Sequence, residues 1–259
     1  MIKTLTIIAG INRNGEKEYF DRLELKAGDT ISIVGPTGSG KTAFITDIEL
    51  LAQGDTSTRR KVLINGDIPD DSVRYNPSLK PIAMITQNTK CFADLSVEDF
   101  LKIHARARNI SRKEIIGDTI NLANSFTGEK LHSYNKVTTL SGGQTRSLLI
   151  ADSILIGAAP VILLDEIENA GIFKQEVLGI IKNFGKIIIF VTHDPVIALH
   201  TKKRIIMENG GVKKVIYQNE EEIIAAKNLI EIDKRMGIIR EELRAGNTIS
   251  SELAVVNFG

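Results

Sequence analysis

Cysteine is almost absent from this 259-residue chain, in which Cys91 is the only one. A single cysteine excludes an intramolecular disulfide framework and is typical of a reducing cytoplasm, so we interpret Cys91 as an ordinary small side chain. No apolar run approaches the roughly 18 residues that a membrane-spanning helix needs. The apolar run near the N-terminus is also too short for a signal peptide. We therefore expect a soluble, cytoplasmic protein.

An excess of charge of one sign is also lacking. Lysine and arginine number 33 against 32 aspartates and glutamates, which gives a formal net charge of +1. No overall field attracts such a chain to nucleic acid or to an anionic membrane, so no nucleic-acid partner is predicted. The hydrophobic fraction of 42% is ordinary for a globular protein and is enough to form a core.

Strand patterns and helix patterns alternate along most of the chain. Residues 1–26 alternate apolar with polar side chains, which predicts antiparallel strands with one wet face. The strand TISIV precedes a glycine-rich turn and the amphipathic segment AFITDIELLA, and KVLING and IAMIT predict two more strands. After residue 140, a helix, the strand VILLD, a short helix over residues 173–182 and the strand KIIIFVT predict a parallel sheet. The segment RIIMENGGVKKVIY predicts a hairpin.

Two further regions have helical patterns. Residues 97–125 show no strand pattern and are interpreted as a helical insertion. Between residues 219 and 245, apolar side chains recur at alternating steps of three and four and form one stripe. The stripe consists of Leu229, Ile232, Met236, Ile239 and Leu243. It either packs on its own domain or contacts a partner or second copy, and two heptads are too few to establish a coiled coil.

The segment GPTGSGKT fits the pattern G-x-x-x-x-G-K-[ST] at every fixed position. Its glycines let backbone N–H groups turn around phosphate oxygens, and the following helix N-terminus favours the same anion. Lys41 is expected on the β and γ phosphates and Thr42 on Mg²⁺. The predicted nucleotide-binding residues of this segment are Gly35, Pro36, Thr37, Gly38, Ser39, Gly40, Lys41, Thr42 and Ala43.

Two acids end the apolar strand VILLD. Asp165 can hold Mg²⁺ beside the phosphate loop, and Glu166 can polarise the water that attacks the γ-phosphate, although strands often end in acids without catalysis.

The segment LSGGQ has a capping box, in which Ser141 caps a helix and Gln144 reaches back to it. A cap does not explain two adjacent glycines, whereas a closely approaching phosphate does.

At these motifs the chain resembles the ATP-binding-cassette (ABC) family over about residues 1–217. In order, GPTGSGKT matches the family's Walker A motif, Gln87 its Q-loop, LSGGQ its signature, VILLDE its Walker B motif and His193 its switch histidine. The resemblance implies an α/β P-loop NTPase core with a mixed or parallel sheet, an antiparallel N-terminal β subdomain and an inserted helical subdomain over about residues 92–153. Residues 1–217 are then the ATPase domain, and residues 218–259 a C-terminal helical extension.

The resemblance also implies the chemistry. Two such domains face each other head to tail, so that the signature of one clasps the γ-phosphate bound by the other, and ATP and Mg²⁺ are the cofactors. The implied signature contacts are Ser141, Gly142, Gly143 and Gln144, of which Ser141 and Gly143 touch the γ-phosphate. The implied catalytic residues are Glu166, His193 and Gln87, and the implied metal ligands are Thr42, Gln87 and Asp165.

The chain departs from the family in two places. After Glu166, Ile167 replaces the usual proline, and Gly171 and Ile172 stand where a leucine–aspartate pair is expected, which gives an atypical D-loop. Near residue 12 the family has an aromatic that stacks on adenine, whereas this chain has Asn12 and Arg13. Arg13 either stacks through its guanidinium plane or is solvated.

Two roles follow from the resemblance. The main interpretation is the ATPase subunit of a membrane transporter, expected as a homodimer. A permease subunit is expected to dock near Gln87–Leu101 and to hold the ATPase on the inner face of the cell membrane. The alternative is a soluble ABC ATPase that remodels or activates a protein or metallocofactor partner, which the atypical D-loop and the C-terminal stripe favour. A nucleotide sensor without hydrolysis is disfavoured, because Lys41, Asp165, Glu166 and His193 are all present.

Overall fold

A six-stranded mixed sheet and a three-stranded antiparallel sheet organise the protein in a computed structural model, which describes residues 2–167, 177, 179 and 184–251. The strands are β1 (Thr4–Ile8), β2 (Arg22–Lys26), β3 (Thr30–Val34), β4 (Lys61–Ile64), β5 (Ile82–Ile85), β6 (Val161–Asp165), β7 (Ile187–Val191), β8 (Lys203–Glu208) and β9 (Gly211–Tyr217). The α-helices are α1 (Lys41–Glu49), α2 (Asp71–Tyr75), α3 (Val97–Ala107), α4 (Ile115–Ser125), α5 (Gly142–Leu155), α6 (Pro195–His200) and α7 (Glu220–Arg244).

The large sheet has the strand order β5-β6-β7-β3-β8-β9, in which only β9 is antiparallel to its neighbour. The small sheet has the order β2-β1-β4 and is antiparallel throughout. The predicted α/β fold is therefore confirmed. Because the parallel strands share a direction, the segments that follow β3, β5, β6 and β7 all begin at one edge of the sheet.

Successive side chains of β6 point to opposite faces of the sheet and enter two hydrophobic clusters. Ile162 and Leu164 pack with α3, α4 and α5, whereas Val161 and Leu163 pack with α1 and the small sheet. Among the described residues, the hydrophobic core of the helical region therefore includes strands of the large sheet. The treatment of this region as a subdomain over residues 92–153, and the division of the chain at residue 217, stay predictions.

The predicted helices differ from the observed ones mainly at their ends. The first was expected through AFITDIELLA, but α1 ends at Glu49, because Leu51 takes a left-handed conformation with φ of 51° and turns its side chain into the core. The C-terminal helix α7 forms over the expected span, with Ala226 as its buried residue. The predicted helix at residues 173–182 and the atypical D-loop after Ile167 lie outside the described residues.

Candidate functional site

The predicted phosphate loop joins the end of β3 to the first turn of α1. Gly38 and Gly40 take positive φ angles of 78° and 101°, which glycine adopts without a steric penalty. The helix then begins at Lys41, so its first N–H groups have no partner inside the helix and face the loop. Pro36 to Gly38 are exposed, as are Thr42 and Ala43. This arrangement of N–H groups at a helix N-terminus suits an anion.

Lys41 is the positive charge of the loop. Its side-chain Nζ donates to the carbonyl oxygens of Gly35 at 2.8 Å and Pro36 at 3.1 Å, so the ammonium group lies across the loop. Its neighbour Ser39 is buried, with a hydroxyl that has no hydrogen-bond partner among the described residues. A phosphate oxygen is a suitable acceptor for both groups.

The turn between β8 and β9 supports the loop from outside. The N–H of Gly210 donates to the Ser39 carbonyl at 2.9 Å. A Cβ atom on Gly40 would lie 2.7 Å from the Cα of Gly210, and one on Gly35 would lie 2.5 Å from the Met207 carbonyl oxygen. Glycine is therefore required at both loop positions by the approach of the hairpin.

The acids predicted to act in catalysis lie at the same edge of the sheet. Asp165 is the last residue of β6, and the N–H of Glu166 donates to the Val191 carbonyl at 2.9 Å. Glu166 has φ of 50°, a left-handed conformation that is uncommon for glutamate. It brings the carboxylate Oε1 within 3.5 Å of Nε2 of His193, which follows β7. The structure thus brings together two of the three predicted catalytic residues.

Gln87 follows β5 at this edge and has an exposed side chain. Its carbonyl oxygen accepts a hydrogen bond of 2.6 Å from the guanidinium of Arg146 on α5. Burial lowers the pKa of this guanidinium from its usual value. Arg146 therefore ties the Q-loop segment to the signature helix. Arg146 was not among the residues predicted for the site, although an arginine two residues after LSGGQ was a visible signal.

The signature segment has the predicted capping box. Ser141 Oγ accepts from the Gln144 N–H at 3.2 Å, and the Gln144 side chain accepts from the Ser141 N–H at 2.9 Å. Ser141 and Gly142 are exposed, and a Cβ atom on Gly142 would meet no atom of the described part of the chain within 4 Å. The Gln144 amide also donates to the carbonyls of residues 129 and 130 in the helical region. Packing against the residues that the structure describes therefore does not account for glycine at position 142.

The described residues contain no group of three or more His, Cys, Asp or Glu side chains that could hold a metal ion. The predicted ligands are instead a hydroxyl, a side-chain amide and a carboxylate, at Thr42, Gln87 and Asp165. Thr42 lies in the first turn of α1, Gln87 follows β5 and Asp165 ends β6, so all three lie at the same edge of the sheet. Among the described helices, none combines the length and the apolar character of a membrane span.

A family model described as "ABC transporter" matches residues 21–169. An uncharacterized ABC transporter ATP-binding protein from Methanocaldococcus jannaschii is 44% identical over 97% of this chain and 96% of its own length. The chain belongs to the ABC transporter family. It is accordingly an ATP-binding subunit of the ABC type and an ATPase.

Other relatives agree with this assignment. A thiamine import ATP-binding protein from Brucella suis is 30% identical over 75% of this chain and 80% of its own length. Two solved structures share the fold of this ABC ATPase. One is cbiO1 from Clostridium perfringens, part of the transporter complex cbiONQ, with a TM-score of 0.63, 22% identity and coverage of 93% and 100% of the two chains. The other is a dimeric ATP-binding cassette with ADP and Pi, with a TM-score of 0.61, 22% identity and coverage of 83% and 99%.

Proposed function

We propose that this ABC ATPase hydrolyses Mg²⁺-ATP in a head-to-tail homodimer and thereby powers a membrane transporter. The observation that carries the proposal is the exposed signature helix start, where Ser141 and Gly142 face outward at a helix N-terminus. The phosphate loop and Glu166 supply one half of a phosphate site, and a helix N-terminus from a second chain can supply the other half.

Each residue then has a defined task. Lys41 and the N–H groups of residues 38–42 bind the β and γ phosphates, and Glu166 accepts the proton of the attacking water. His193 holds the Glu166 carboxylate and contacts the γ-phosphate. Ser141 and Gly143 of the second chain close over the same phosphate and exclude bulk water, while the attacking water stays beside Glu166.

Thr42, Gln87 and Asp165 would hold Mg²⁺, since their side chains are the oxygen donors that this ion prefers. The ion, when bound there, would neutralise negative charge on the phosphate oxygens.

A paired substitution tests the composite site. Glu166→Gln is expected to form a dimer with ATP, because bound ATP is no longer consumed, whereas Glu166→Gln with Ser141→Arg is expected to remain a monomer. The reason is that an arginine side chain on the signature would fill the space of the facing nucleotide. Light scattering during gel filtration measures the mass, and nucleotide binding by each monomer is measured separately. Ser72→Arg on the exposed face of α2 is the matched control. A Ser141→Arg variant that dimerises with ATP would refute the composite site.

The permease partner is supported by the segment that follows Gln87. Phe92 lies in this segment with 86% of its surface exposed, which is high for a large apolar side chain. The relatives named as import ATP-binding proteins make a membrane subunit the expected partner.

Phe92 is the residue to change in a test of docking. The membrane subunit and the ATPase are co-expressed, and the complex is isolated in detergent through the membrane subunit. Phe92→Asp is expected to reduce recovery of the ATPase at least fivefold while ATP binding is unchanged, because a charge replaces the apolar contact. Tyr217→Ala, which alters an exposed aromatic at the end of β9, is the control. Equal recovery of Phe92→Asp and wild type would place the contact elsewhere.

A further inference from the structure

Arg60, just before β4, is completely buried, with 0% of its surface exposed. Arginine is rarely buried to this degree unless its charge is paired. Its guanidinium donates to Glu18 twice, from Nε at 2.9 Å and from Nη2 at 2.7 Å. It also donates from Nη1 to Asp47 at 2.8 Å and from Nη2 to the Gly210 carbonyl at 3.1 Å. We call Arg60, Glu18 and Asp47 the Arg60 cluster.

The two carboxylates of the cluster have further donors. The Gly10 N–H donates to Glu18 Oε2 at 2.9 Å, and the Val212 N–H donates to Oε1 at 2.7 Å. The Thr58 hydroxyl donates to Asp47 Oδ2 at 2.7 Å. Each of these three carboxylate oxygens therefore accepts hydrogen bonds from two donors. The buried negative charges of Glu18 and Asp47 are thus compensated, as is the positive charge of the guanidinium.

Two sets of contacts connect the Arg60 cluster to the phosphate loop. Asp47 lies on α1, the helix that begins at Lys41, and the guanidinium stacks 4.8 Å above the ring of Phe44 on the same helix. On the other side, the guanidinium holds the carbonyl of Gly210, whose N–H donates to the Ser39 carbonyl. One side chain thus fixes both the helix after the loop and the turn that packs on the loop.

Close packing leaves little freedom for movement around the cluster. A Cβ atom on Gly10 would lie 1.9 Å from the Thr58 carbonyl oxygen, and a Cβ atom on Gly210 would lie 2.6 Å from Cγ of Arg13. The backbone of Gly210 is in turn pressed against Gly40. A displacement of Arg60 would therefore be passed through Gly210 to the loop.

We propose that Arg60, with Glu18 and Asp47, is a positioning residue that sets the geometry of the phosphate loop for nucleotide binding. Replacing a buried ion cluster by apolar side chains is often neutral for stability, so stability alone does not account for so complete a set of bonds. What these bonds do fix is the position of α1, the β8–β9 turn and residues 10–13 relative to one another. The proposal assigns no contact with ATP to Arg60, which acts through Ser39 and Gly40.

Arg60→Lys tests the proposal, because lysine keeps the charge but cannot donate to Glu18, Asp47 and Gly210 in the same fork. In the full-length protein we expect KM for ATP to rise roughly tenfold while kcat changes less than about threefold, since a misplaced loop weakens binding first. Hydrogen exchange of the peptide covering residues 35–44 is expected to accelerate well below the melting temperature.

A control must separate this effect from general loss of stability. Phe126→Leu alters a fully buried side chain in the cluster around α3, α4 and α5, away from the loop. It is expected to lower the melting temperature and to leave KM and the exchange of residues 35–44 unchanged. Glu18→Gln, which keeps the side-chain shape, serves as the milder variant if Arg60→Lys does not fold, and the same rise in KM and in exchange is expected. The proposal is overturned if the folded variants lower the melting temperature but leave KM and loop exchange as in wild type.

Discussion

Glu166 combines a left-handed backbone with a carboxylate 3.5 Å from His193. A non-glycine residue in this region of φ carries a conformational cost of roughly 1–3 kcal/mol, which the surrounding contacts must offset. The bond from the Glu166 N–H to the Val191 carbonyl is one such contact, because it joins the ends of β6 and β7. The strain thus has a visible consequence, namely that the carboxylate points toward the histidine.

Glu166→Gln is expected to lower kcat by roughly 10²–10⁴-fold, because glutamine cannot accept the proton of the attacking water. ATP affinity should be retained, since the phosphate loop makes its contacts without Glu166. Steady-state phosphate release and equilibrium ATP binding measure the two quantities. Glu24→Gln on β2, a partly exposed carboxylate in the small sheet, is the control and should have wild-type turnover. Turnover of Glu166→Gln at the wild-type rate would remove Glu166 from the mechanism.

Arg13 is the second residue with an individual prediction. Its N–H donates to the Asn209 carbonyl at 3.0 Å, and its aliphatic stem lies on Gly210 while the residue as a whole is exposed. If the guanidinium stacks on the base, Arg13→Ala should weaken ATP binding roughly two- to fivefold, as expected for an exposed cation–π contact. Arg22→Ala on β2 is the control. Unchanged affinity in a titration with ATP would identify Arg13 as a solvated side chain.

At the scale of the element, the contact between α3 and α5 contains a titratable pair. His104 Nδ1 lies 3.0 Å from Asp152 Oδ2, and the hydrogen bond with Asp152 raises the pKa of His104 above its ordinary 6.5. Protonated His104 therefore stabilises the folded protein. This contribution is fully present below pH 6.5 and is lost as the pH rises through the raised pKa.

His104→Gln is expected to remove this dependence of the free energy of unfolding on pH. The imidazole is 41% exposed, so solvent screening limits the effect to about 0.5 kcal/mol. Urea unfolding at several pH values between about 5.5 and 8.5 measures it. His132→Gln, on the loop before α5, is the control. A His104→Gln variant that keeps the wild-type pH profile would show that other groups cause the dependence.

At the same scale, sequence patterns predicted which elements form better than where they end. The signature cap was predictable because Ser141 and Gln144 are close in sequence and satisfy each other locally. The early end of α1 was not, because Leu51 leaves the helix to enter a core that the rest of the chain builds. The pattern of KVLING predicted a strand but not the sheet to which it belongs, and the strand pairs with β1 rather than joining the large sheet.

At the scale of the whole molecule, the large sheet separates two hydrophobic clusters and contributes to both. Alternate residues of β6 and β7 enter opposite clusters. If these strands separated from one cluster, they would also leave the other cluster, and both would be exposed to solvent. The helical region and the nucleotide-binding core should therefore unfold together.

Two substitutions test this cooperativity. Phe126→Ala in the helical region and Leu25→Ala in the small sheet each remove a fully buried side chain. Each should cost about 3–4 kcal/mol through lost burial and a cavity. Calorimetry is expected to show a single transition that both variants shift downward. Two resolved transitions, with each variant moving only one of them, would instead establish an independent helical domain.

The sequence by itself determined the phosphate loop, the order of the five family motifs and the alternation of strands and helices. The loop and each strand or helix pattern depend on neighbours within about ten residues, where spacing and turn chemistry decide the local conformation, and the order of the motifs is visible directly along the chain. Only the tertiary structure decided that Glu166 meets His193, that Arg146 holds the Q-loop segment and that Arg60 joins α1 to the β8–β9 turn. Glu18, Asp47 and Arg60 look like solvated charges in the sequence. Their burial and pairing depend on contacts between residues up to 194 positions apart, such as Glu18 and Val212, which no local sequence pattern encodes.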